Sequence, residues 1–225
     1  MKKLSLILIV LSFGILFFFS SETYAALFPH KYRATYPDEW WKPIDRKEAK
    51  WWEILPQDAK PGEVILSKRT PLGILSNLAP TPFEMDGKRY ASIEGFWQMM
   101  KYPDPADPAD PRHRADLSWP YSREGVSNLS GFEAKRAGEE TQKNYEKLDL
   151  QWISYQGQRM FHKDKDKGGH YQLILKATRQ KIAQNKEARE LLIATGDLVL
   201  RPDHHQDKDA PPAYRYYDIL MKIRK

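Results

Sequence analysis

The chain contains no cysteine, and this absence constrains its folding more than any other feature of the sequence. Without disulfides, the free energy of folding has to come from the burial of apolar side chains. Hydrophobic residues make up 41% of the chain and aromatic residues 12%, which is enough to form a core in a domain of ordinary size. The sequence therefore predicts a domain that is stabilised by packing alone.

Residues 1–25 have the organisation of a cleavable export signal. Lys2 and Lys3 precede an apolar run from Leu4 to Phe19, and a short polar stretch then leads to Ala25. A positive head, an apolar middle and a small residue at the exit are typical of a secretory signal peptide. The apolar run is shorter than the roughly 20 residues that a membrane-spanning helix requires. We expect cleavage after Ala25, a secreted or periplasmic location and no stable membrane insertion.

The formal net charge of +6 favours small anionic partners. Basic and acidic residues are interleaved along the chain, so the pattern does not predict a dedicated groove for nucleic acid. The sequence has no phosphate-binding loop, dinucleotide-binding glycine motif or His-Glu-x-x-His zinc motif. We predict a phosphorylated or nucleotide-like small molecule as the substrate, with no cofactor and no metal. The oligomeric state does not follow from the sequence.

Residues 26–61 form an extension rich in tryptophan and proline, and residues 62–225 form the predicted domain. The extension carries two pairs of adjacent tryptophans, Trp40-Trp41 and Trp51-Trp52. Aromatic residues at this density usually fasten an extension to the surface of a domain, and this interpretation is favoured. A ligand platform made by the same four indoles is the alternative.

The first half of the predicted domain combines short strands with one helix. An apolar, β-branched run predicts a strand over residues 63–67, and residues 82–90 predict a hairpin that turns at Asp86-Gly87. Ser92 is a good N-cap for a helix that extends to about Lys101. Residues 103–111 contain a repeated Asp-Pro-Ala sequence and predict a stiff polar loop, because each proline restricts its own backbone and that of the preceding residue.

The second half of the domain is predicted to be mostly helical. Helix formers or helical spacing of apolar residues occur in five segments, which are residues 131–145, 150–160, 173–182, 186–194 and 216–223. Residues 163–169 form a charged turn that ends in glycine. Because strands and helices do not alternate regularly, the sequence predicts an α+β class, a helix-rich single domain with a small hairpin or sheet.

One helix combines polar side chains in a pattern that allows chemistry. Glu94, Gln98 and Lys101 follow Ser92 at i, i+4 and i+7 spacing, so they share one face of the predicted helix. A solvated helix face would have the same pattern. The loop containing Ser76 precedes this helix, and loops held by rigid elements often form ligand sites.

Residues 73–102 resemble the signature of the NADAR family, which is named for NAD and ADP-ribose. The family pattern is Ser-Asn-Phe, Asp-Gly, then Ser-x-Glu followed by Gln-x-x-Lys. The matching residues here are Ser76, Asn77, Asp86, Gly87, Ser92, Glu94, Gln98 and Lys101. Later segments also resemble the family, so the likeness extends over about residues 63–225. The tryptophan-rich extension has no counterpart in it.

The resemblance implies an N-glycosidase. Members cleave riboflavin-pathway intermediates between a heterocyclic amine and ribose 5-phosphate, and others remove ADP-ribose from nucleobases. In both reactions water attacks an anomeric carbon through an oxocarbenium-like state, which a carboxylate and an aromatic wall would stabilise. The resemblance assigns Glu94 as the catalytic carboxylate. It also assigns Trp152, on the middle helix, as the residue that stacks on the base or sugar, with a core tryptophan as the alternative.

The third family element differs in this chain. Where relatives have an aspartate followed by a Trp-Gly segment and a glycine-rich loop, this sequence has Asp203-His204-His205. We therefore expect Asp203 to replace the family aspartate as a catalytic residue, with His204 and His205 as neighbouring substrate donors. An Asp-His-His metal site is the competing interpretation, but no third well-spaced ligand is evident.

The remaining predicted substrate-binding residues are polar or cationic. Lys101 and Arg215 are candidates for phosphate, and Asn77 and Gln98, together with Ser76, for hydrogen bonds to ribose or base. The favoured function is an exported N-glycoside hydrolase. A non-catalytic module that binds ADP-ribose or a nucleotide is the alternative from another class, and a cell-wall O-glycosidase is a third possibility that requires a second carboxylate near Glu94.

Overall fold

A computed structural model describes residues 36–225. The predicted export signal and the first residues of the extension lie outside this range. Within it, the chain forms short strands and helices in the order expected for an α+β domain, and the predicted fold class is confirmed. None of the helices in residues 36–225 has the length and apolar character needed to cross a membrane.

The strands are short and pair two by two. They are β1 (Glu63–Ile65), β2 (Phe83–Met85), β3 (Lys88–Tyr90), β4 (Trp152–Tyr155), β5 (Gln158–Phe161) and β6 (Val199–Arg201). The pairs β2–β3 and β4–β5 are antiparallel hairpins, whereas β1 and β6 pair in parallel with Val64 opposite Leu200. The β1–β6 pair therefore joins the start of the domain to its C-terminal region.

The described residues also form seven α-helices. They are α1 (Ile93–Met99), α2 (Arg123–Ser127), α3 (Gly131–Glu139), α4 (Gln142–Lys147), α5 (Gly169–Gln184), α6 (Lys186–Ala194) and α7 (Tyr216–Arg224). The helix α5 packs against α1, β2, α6 and α7, so it is central to the fold. Short 3-10 helices, such as Pro71–Leu75, occur in the connecting segments.

Local turn and cap chemistry acts as the sequence predicts. Asp86 and Gly87 have φ angles of 53° and 75°, as a type I′ turn between β2 and β3 requires. Ser92 begins α1 as its N-cap, because its Oγ accepts a hydrogen bond of 2.9 Å from the Gly95 amide. Both predictions are confirmed.

Two apolar clusters form the core. One contains Phe83 and Phe96 and lies around the first hairpin, α1 and α5, and the other contains Val64 and Leu200 and lies around the parallel strand pair. Ile223 packs against both clusters, so α7 connects them.

The first tryptophan pair fastens the extension to the domain. Trp40 and Trp41 are buried in the cluster around Val64, and the Trp41 indole donates a hydrogen bond of 3.0 Å to the Glu63 carbonyl. This part of the fastening interpretation is confirmed. The second pair lies elsewhere and takes part in a cavity described below.

The prediction of a helix over residues 150–160 is wrong. This segment forms the hairpin β4–β5, and Gln156 and Gly157 make its turn with φ angles of 51° and 78°. Ile153 and Tyr155 are buried, and aromatic and β-branched residues of this kind favour strands. A few apolar residues at helical spacing could not outweigh these preferences. Trp152, predicted on a helix, therefore begins a strand.

The predicted helix over residues 131–145 is divided in two. The helix α3 ends at Glu139 and α4 begins at Gln142. Between them, the Thr141 hydroxyl donates a hydrogen bond of 2.8 Å to the Gly138 carbonyl, near the C-terminal end of α3. Carbonyls in the last turn of a helix have no partner within it, so this bond satisfies one of them.

The proline-rich loop contains a buried ion pair. Arg112 and Asp110 are both buried, and the Arg112 Nη2 lies 2.7 Å from the carboxylate of Asp110. Arg112 also donates hydrogen bonds to the Met100 carbonyl and to Ser154 on β4. The loop therefore connects the end of α1 to the β4–β5 hairpin through charges that are paired and hydrogen-bonded.

Candidate functional site

A cavity of about 450 Å³ opens where the extension, the start of α1 and the C-terminal region meet. This volume lies within the range of small-molecule sites. Its walls combine aromatic rings, histidines, two lysines and one carboxylate. The lining residues are Trp51, Trp52, Lys68, Ser76, Asn77, Leu78, Glu94, Trp97, Phe132, Lys135, His170, Ile174, His204, His205, Gln206, Ala213, Tyr214 and Tyr216.

Glu94 is held at this cavity by the start of α1. Its amide donates a hydrogen bond of 2.9 Å to the Asn77 carbonyl, which ties the first helical turn to the Ser76-Asn77 loop. The next residue must be small, because a Cβ atom on Gly95 would lie 2.9 Å from the Val126 carbonyl oxygen and closer still to that of Leu129. The helix start therefore rests directly on backbone, and the position of Glu94 is well defined.

The charge state of Glu94 depends on a second residue of the same helix. Burial raises the pKa of Glu94, while the Gln98 side chain and the charges of Lys101 and Lys135 act in the opposite direction without cancelling this effect. The Gln98 Nε2 donates a hydrogen bond of 2.7 Å to the Glu94 Oε1. A carboxyl group of raised pKa is a better proton acceptor than an exposed one, and it can exchange a proton closer to neutral pH.

The position of Gln98 depends on the absence of a side chain at Gly138. It is buried, and a Cβ atom on Gly138 of α3 would lie 2.9 Å from the Gln98 Cγ and overlap its carboxamide. The absence of a side chain at Gly138 therefore allows α3 to approach α1 at the point where Gln98 contacts Glu94. Ala134 and Ala137, on the same helix as Gly138, are also small and fully buried.

An aromatic wall faces Glu94 from the same helix. The Trp97 indole stacks on the imidazole of His170, with ring centroids 4.6 Å apart and an interplanar angle of 29°. Tyr214 lies against both rings, at centroid distances of 5.8 Å from Trp97 and 6.1 Å from His170. A planar base or the flat face of an oxocarbenium-like sugar would contact the exposed parts of the Trp97 and Tyr214 rings here, because His170 is itself buried.

His170 in this wall and His162 next to it are both neutral at physiological pH. Burial lowers the pKa of His162 and of His170 to about 4 in each case. The His170 Nδ1 lies 3.1 Å from the His162 carbonyl, which can only accept, so His170 donates from Nδ1 and keeps Nε2 as an acceptor. Within residues 36–225 no partner reaches that Nε2, which is buried. The His162 Nδ1 is hydrogen-bonded to the Tyr214 hydroxyl at 2.6 Å.

A charged group lies on another side of the cavity. The Lys68 Nζ is 2.8 and 2.7 Å from the two carboxylate oxygens of Asp203. The Asp203 carboxylate also accepts a bond of 3.2 Å from the His204 Nδ1. Although burial acts to raise it, the pKa of Asp203 is lowered overall, since His204 and Lys68 stabilise its ionised form. Lys68, His204 and His205 line the cavity, whereas Asp203 lies behind them.

The structure brings most of the predicted site residues together. Ser76, Asn77, Glu94, His204 and His205 line the cavity, and Gln98 contacts it through Glu94. Among the lining residues, the Ser76 carbonyl accepts a hydrogen bond of 2.7 Å from the buried Lys181. These residues are far apart in sequence, so their common location comes from the fold.

Lys101 lies behind Trp97, with its Nζ 5.2 Å from the indole centroid, and lines a neighbouring cavity of about 440 Å³. Burial lowers the pKa of Lys101 to about 8, although Glu94 acts to raise it. Its ammonium group therefore lies beneath the aromatic wall and not in front of it. A role in holding phosphate would require a ligand that reaches around Trp97.

Trp152 and Arg215 are also absent from the cavity walls. Trp152 is placed between two guanidinium groups, with the Arg112 Cζ 4.6 Å and the Arg159 Cζ 4.4 Å from its ring centroid. Arg215 pairs with Asp218 on α7 at 2.6 Å. Trp97 lines the cavity with Glu94, whereas Trp152, to which the family resemblance assigned stacking on the substrate, does not. The i+3 spacing of Trp97 from Glu94 is the one local signal in the sequence that could have identified it.

Several lining residues were not predicted from the sequence as site residues, namely Lys68, Trp97, Phe132, Lys135, His170, Gln206, Tyr214 and Tyr216. Most of them are isolated in sequence and reach the cavity only through tertiary packing. For the Asp-His-His segment, the structure shows the aspartate paired with lysine. In residues 36–225 no three His, Asp or Glu side chains are grouped closely enough to hold a metal ion.

The fold and the cavity together define an α+β protein whose cavity is lined by aromatic rings and by one carboxylate at a helix start. The family model described as bacteriophage protein GP30.3 matches residues 69–224, and the chain belongs to that family. This family is related to the NADAR proteins.

The NMR structure of the Escherichia coli protein YbiA is similar to this chain at 22% sequence identity and a TM-score of 0.40. The similarity covers 70% of this chain and 79% of that one. No match was found among curated proteins.

Proposed function

We propose that this protein hydrolyses the N-glycosidic bond of a nucleotide-type substrate and that Glu94 is its catalytic carboxylate. The observation that carries the proposal is the placement of Glu94 in the cavity beside the Trp97 and His170 rings. A carboxylate beside a flat π surface matches the needs of a reaction that passes through a planar, positively charged sugar. The resemblance of residues 73–102 to the NADAR signature supports the same assignment.

In the proposed step, Glu94 accepts a proton from a water molecule. The water oxygen forms a bond to the anomeric carbon while the bond from that carbon to the base nitrogen breaks. The leaving nitrogen takes the bonding electron pair and then the proton that Glu94 accepted, so Glu94 is ionised again, one water is consumed, and a free base and a free sugar are released. The ionised form of Glu94 also stabilises the developing positive charge of the sugar.

Other lining residues have supporting roles in the proposal. The Gln98 amide orients the Glu94 carboxylate and stabilises its ionised form. The ring of Trp97, which lines the cavity, stacks on the base or sugar. Lys68 and Lys135 provide positive charge for the phosphate of such a substrate.

Two substrate groups follow from the family resemblance, the ribosylated pyrimidine-amine phosphates of the riboflavin pathway and ADP-ribosyl conjugates. The test is to incubate the purified protein with both groups and with NAD, and to measure released base and free sugar by chromatography. We expect Glu94→Gln to lower the rate by roughly a hundredfold or more, because proton transfer by a placed side chain contributes about that much. Glu190→Gln, at an exposed position on α6, is the matched control and should retain the full rate.

The competing function is a module that binds a nucleotide or ADP-ribose without cleaving it. It predicts no product from any of these compounds, together with calorimetric binding that Glu94→Gln leaves unchanged. Hydrolysis at the normal rate by folded Glu94→Gln would likewise remove Glu94 from the mechanism.

We also propose that the protein is exported and acts outside the cytoplasm, as the signal-type organisation of residues 1–25 indicates. The N-terminal sequence of protein recovered from the periplasm or the medium should start immediately after Ala25. Recovery of the full-length chain from the cytoplasm alone would contradict this proposal.

A further inference from the structure

Three aromatic side chains lie at the mouth of the cavity, apart from the wall beside Glu94. Trp51 is 92% exposed and Phe132 is 53% exposed, yet both line the cavity. Trp52 lies between the extension and the domain, with its ring centroid 6.2 Å from that of Phe132 at an angle of 60°. Single exposed apolar residues need no explanation, but a group of them at the entrance of a cavity that contains a carboxylate and two lysines points to a contact with a ligand.

The turn that carries the two indoles is rigidly held. The Glu53 amide donates to the Lys50 carbonyl at 3.0 Å, which closes a turn around Trp51 and Trp52. The Glu53 carboxylate accepts two hydrogen bonds from Arg69, at 2.9 and 2.8 Å.

The same turn is also joined to the C-terminal wall of the cavity. Glu53 forms an isolated β-bridge with His204, and the Ile54 amide donates a bond of 2.9 Å to the Asp203 carbonyl. The backbone that carries the indoles is therefore fixed before any ligand arrives, which lowers the entropy cost of ordering this turn on binding.

The cavity thus has aromatic surfaces at two depths. His170, which stacks on Trp97, is only 3% exposed and lies at the floor, whereas the exposed Trp51 lies at the mouth. One planar base occupies one such surface. Two surfaces at different depths fit a ligand that carries two planar rings.

We propose that Trp51, Trp52 and Phe132 form a second stacking subsite, for an aromatic base joined through phosphate to the ribose held at Glu94. The location of the reacting ribose rests on the function proposed above, whereas stacking at the mouth can be measured without hydrolysis. The chemical class of ligand is a small phosphate-bridged molecule with two bases. The tryptophan-rich extension thereby becomes part of the binding site.

The charges at the cavity favour a small ligand over a nucleic-acid strand. Lys68 is paired with Asp203 at 2.7 Å, and Lys135 is paired with Glu139 at 2.8 Å. Because each lysine already has a carboxylate partner, the two do not form a continuous positive track, which a long polyanion requires.

The test compares a one-base with a two-base ligand by isothermal titration calorimetry. Adenosine monophosphate and a diadenosine diphosphate are titrated into the full-length Glu94→Gln protein, and chromatography verifies that both ligands stay intact. We expect the two-base ligand to bind roughly tenfold or more tightly, because stacking of one base on an aromatic residue contributes about that factor. In a Glu94→Gln, Trp51→Ala protein this advantage should disappear while the affinity for adenosine monophosphate stays the same.

Two further variants separate stacking from unrelated effects. Trp51→Phe should restore most of the advantage, and Phe161→Ala, at a residue on β5 that is 67% exposed and outside the cavity walls, should leave it intact. Equal affinities for the two ligands before mutation, an advantage that survives Trp51→Ala, or no binding of either ligand would each overturn the proposal. A longer oligoadenylate that binds much more tightly than the two-base ligand would replace it with a strand-binding surface.

Discussion

Gly138→Ala would test whether Gln98 controls the proton affinity of Glu94. A methyl group at Gly138 would overlap the Gln98 carboxamide and lie 2.9 Å from its Cγ, so Gln98 has to move. Gln98 is buried where α1 faces α3, so we expect this movement to break its 2.7 Å hydrogen bond to Glu94. The mutation therefore acts on the carboxylate from a neighbouring helix without touching it.

The size of the effect follows from the lost hydrogen bond. A hydrogen bond to a charged group contributes about 1.5 to 3 kcal/mol, and its loss disfavours the ionised form of Glu94 by that amount. At a pH where Glu94 is partly protonated, the active ionised fraction should fall by roughly 10- to 100-fold. The pKa of Glu94 rises further, so the acid limb of the rate profile should move to higher pH and the rate should recover in alkaline buffer.

The assay is kcat/KM for the best hydrolysed substrate as a function of pH, with thermal unfolding measured in parallel. Alanine is favoured over glycine in a helix by up to about 1 kcal/mol, so a loss of stability would report the overlap with Gln98. Gly169→Ala, where a Cβ atom would be 3.9 Å from that of Met160, is the control and should keep the native profile. A folded Gly138→Ala protein with an unshifted acid limb would refute the role of Gln98.

Two predictions concern buried cations. Burial lowers the pKa of Lys181 from 10.5 to about 7, so between these values the unfolded chain binds a proton that the native protein lacks, and native stability should rise with pH. This rise should amount to at most roughly 5 kcal/mol, and it should be absent from Lys181→Met when urea unfolding is measured at a series of pH values. A rise in Lys181→Met as large as in the native protein would contradict the assignment. Arg112→Met should destabilise the protein by about 3 to 5 kcal/mol, because it leaves the buried Asp110 carboxylate unpaired. Denaturant unfolding at neutral pH checks this, and a change below about 1 kcal/mol would show that Asp110 finds another partner.

The local elements of the fold could be predicted because their causes are local. The Asp86-Gly87 turn needs two residues that tolerate positive φ, and Ser92 caps α1 through an amide three residues later. Helical spacing placed Glu94 and Gln98 on one face, and the structure confirms that they are hydrogen-bonded. Interactions of this range are encoded in neighbouring residues.

The hairpin β4–β5 shows where this reasoning fails. Residues 150–160 carry apolar positions at helical spacing, but they form two strands. Gln156 and Gly157 make the turn between the strands with positive φ angles, and Ile153 is buried. A short segment can satisfy both periodicities, and its surroundings then determine which of the two is stabilised. Trp152, which we expected to stack on the substrate, packs between two arginines in this hairpin.

The sequence by itself determined an α+β domain without disulfides and the presence of a carboxylate at the start of a capped helix. Only the tertiary structure decided which aromatic residues face that carboxylate. Trp97 stacks on His170, and Trp51 lines the same cavity, because segments that are distant along the chain pack together. Such contacts form when separate elements bury their apolar faces together, and the spacing of residues within one element does not specify them.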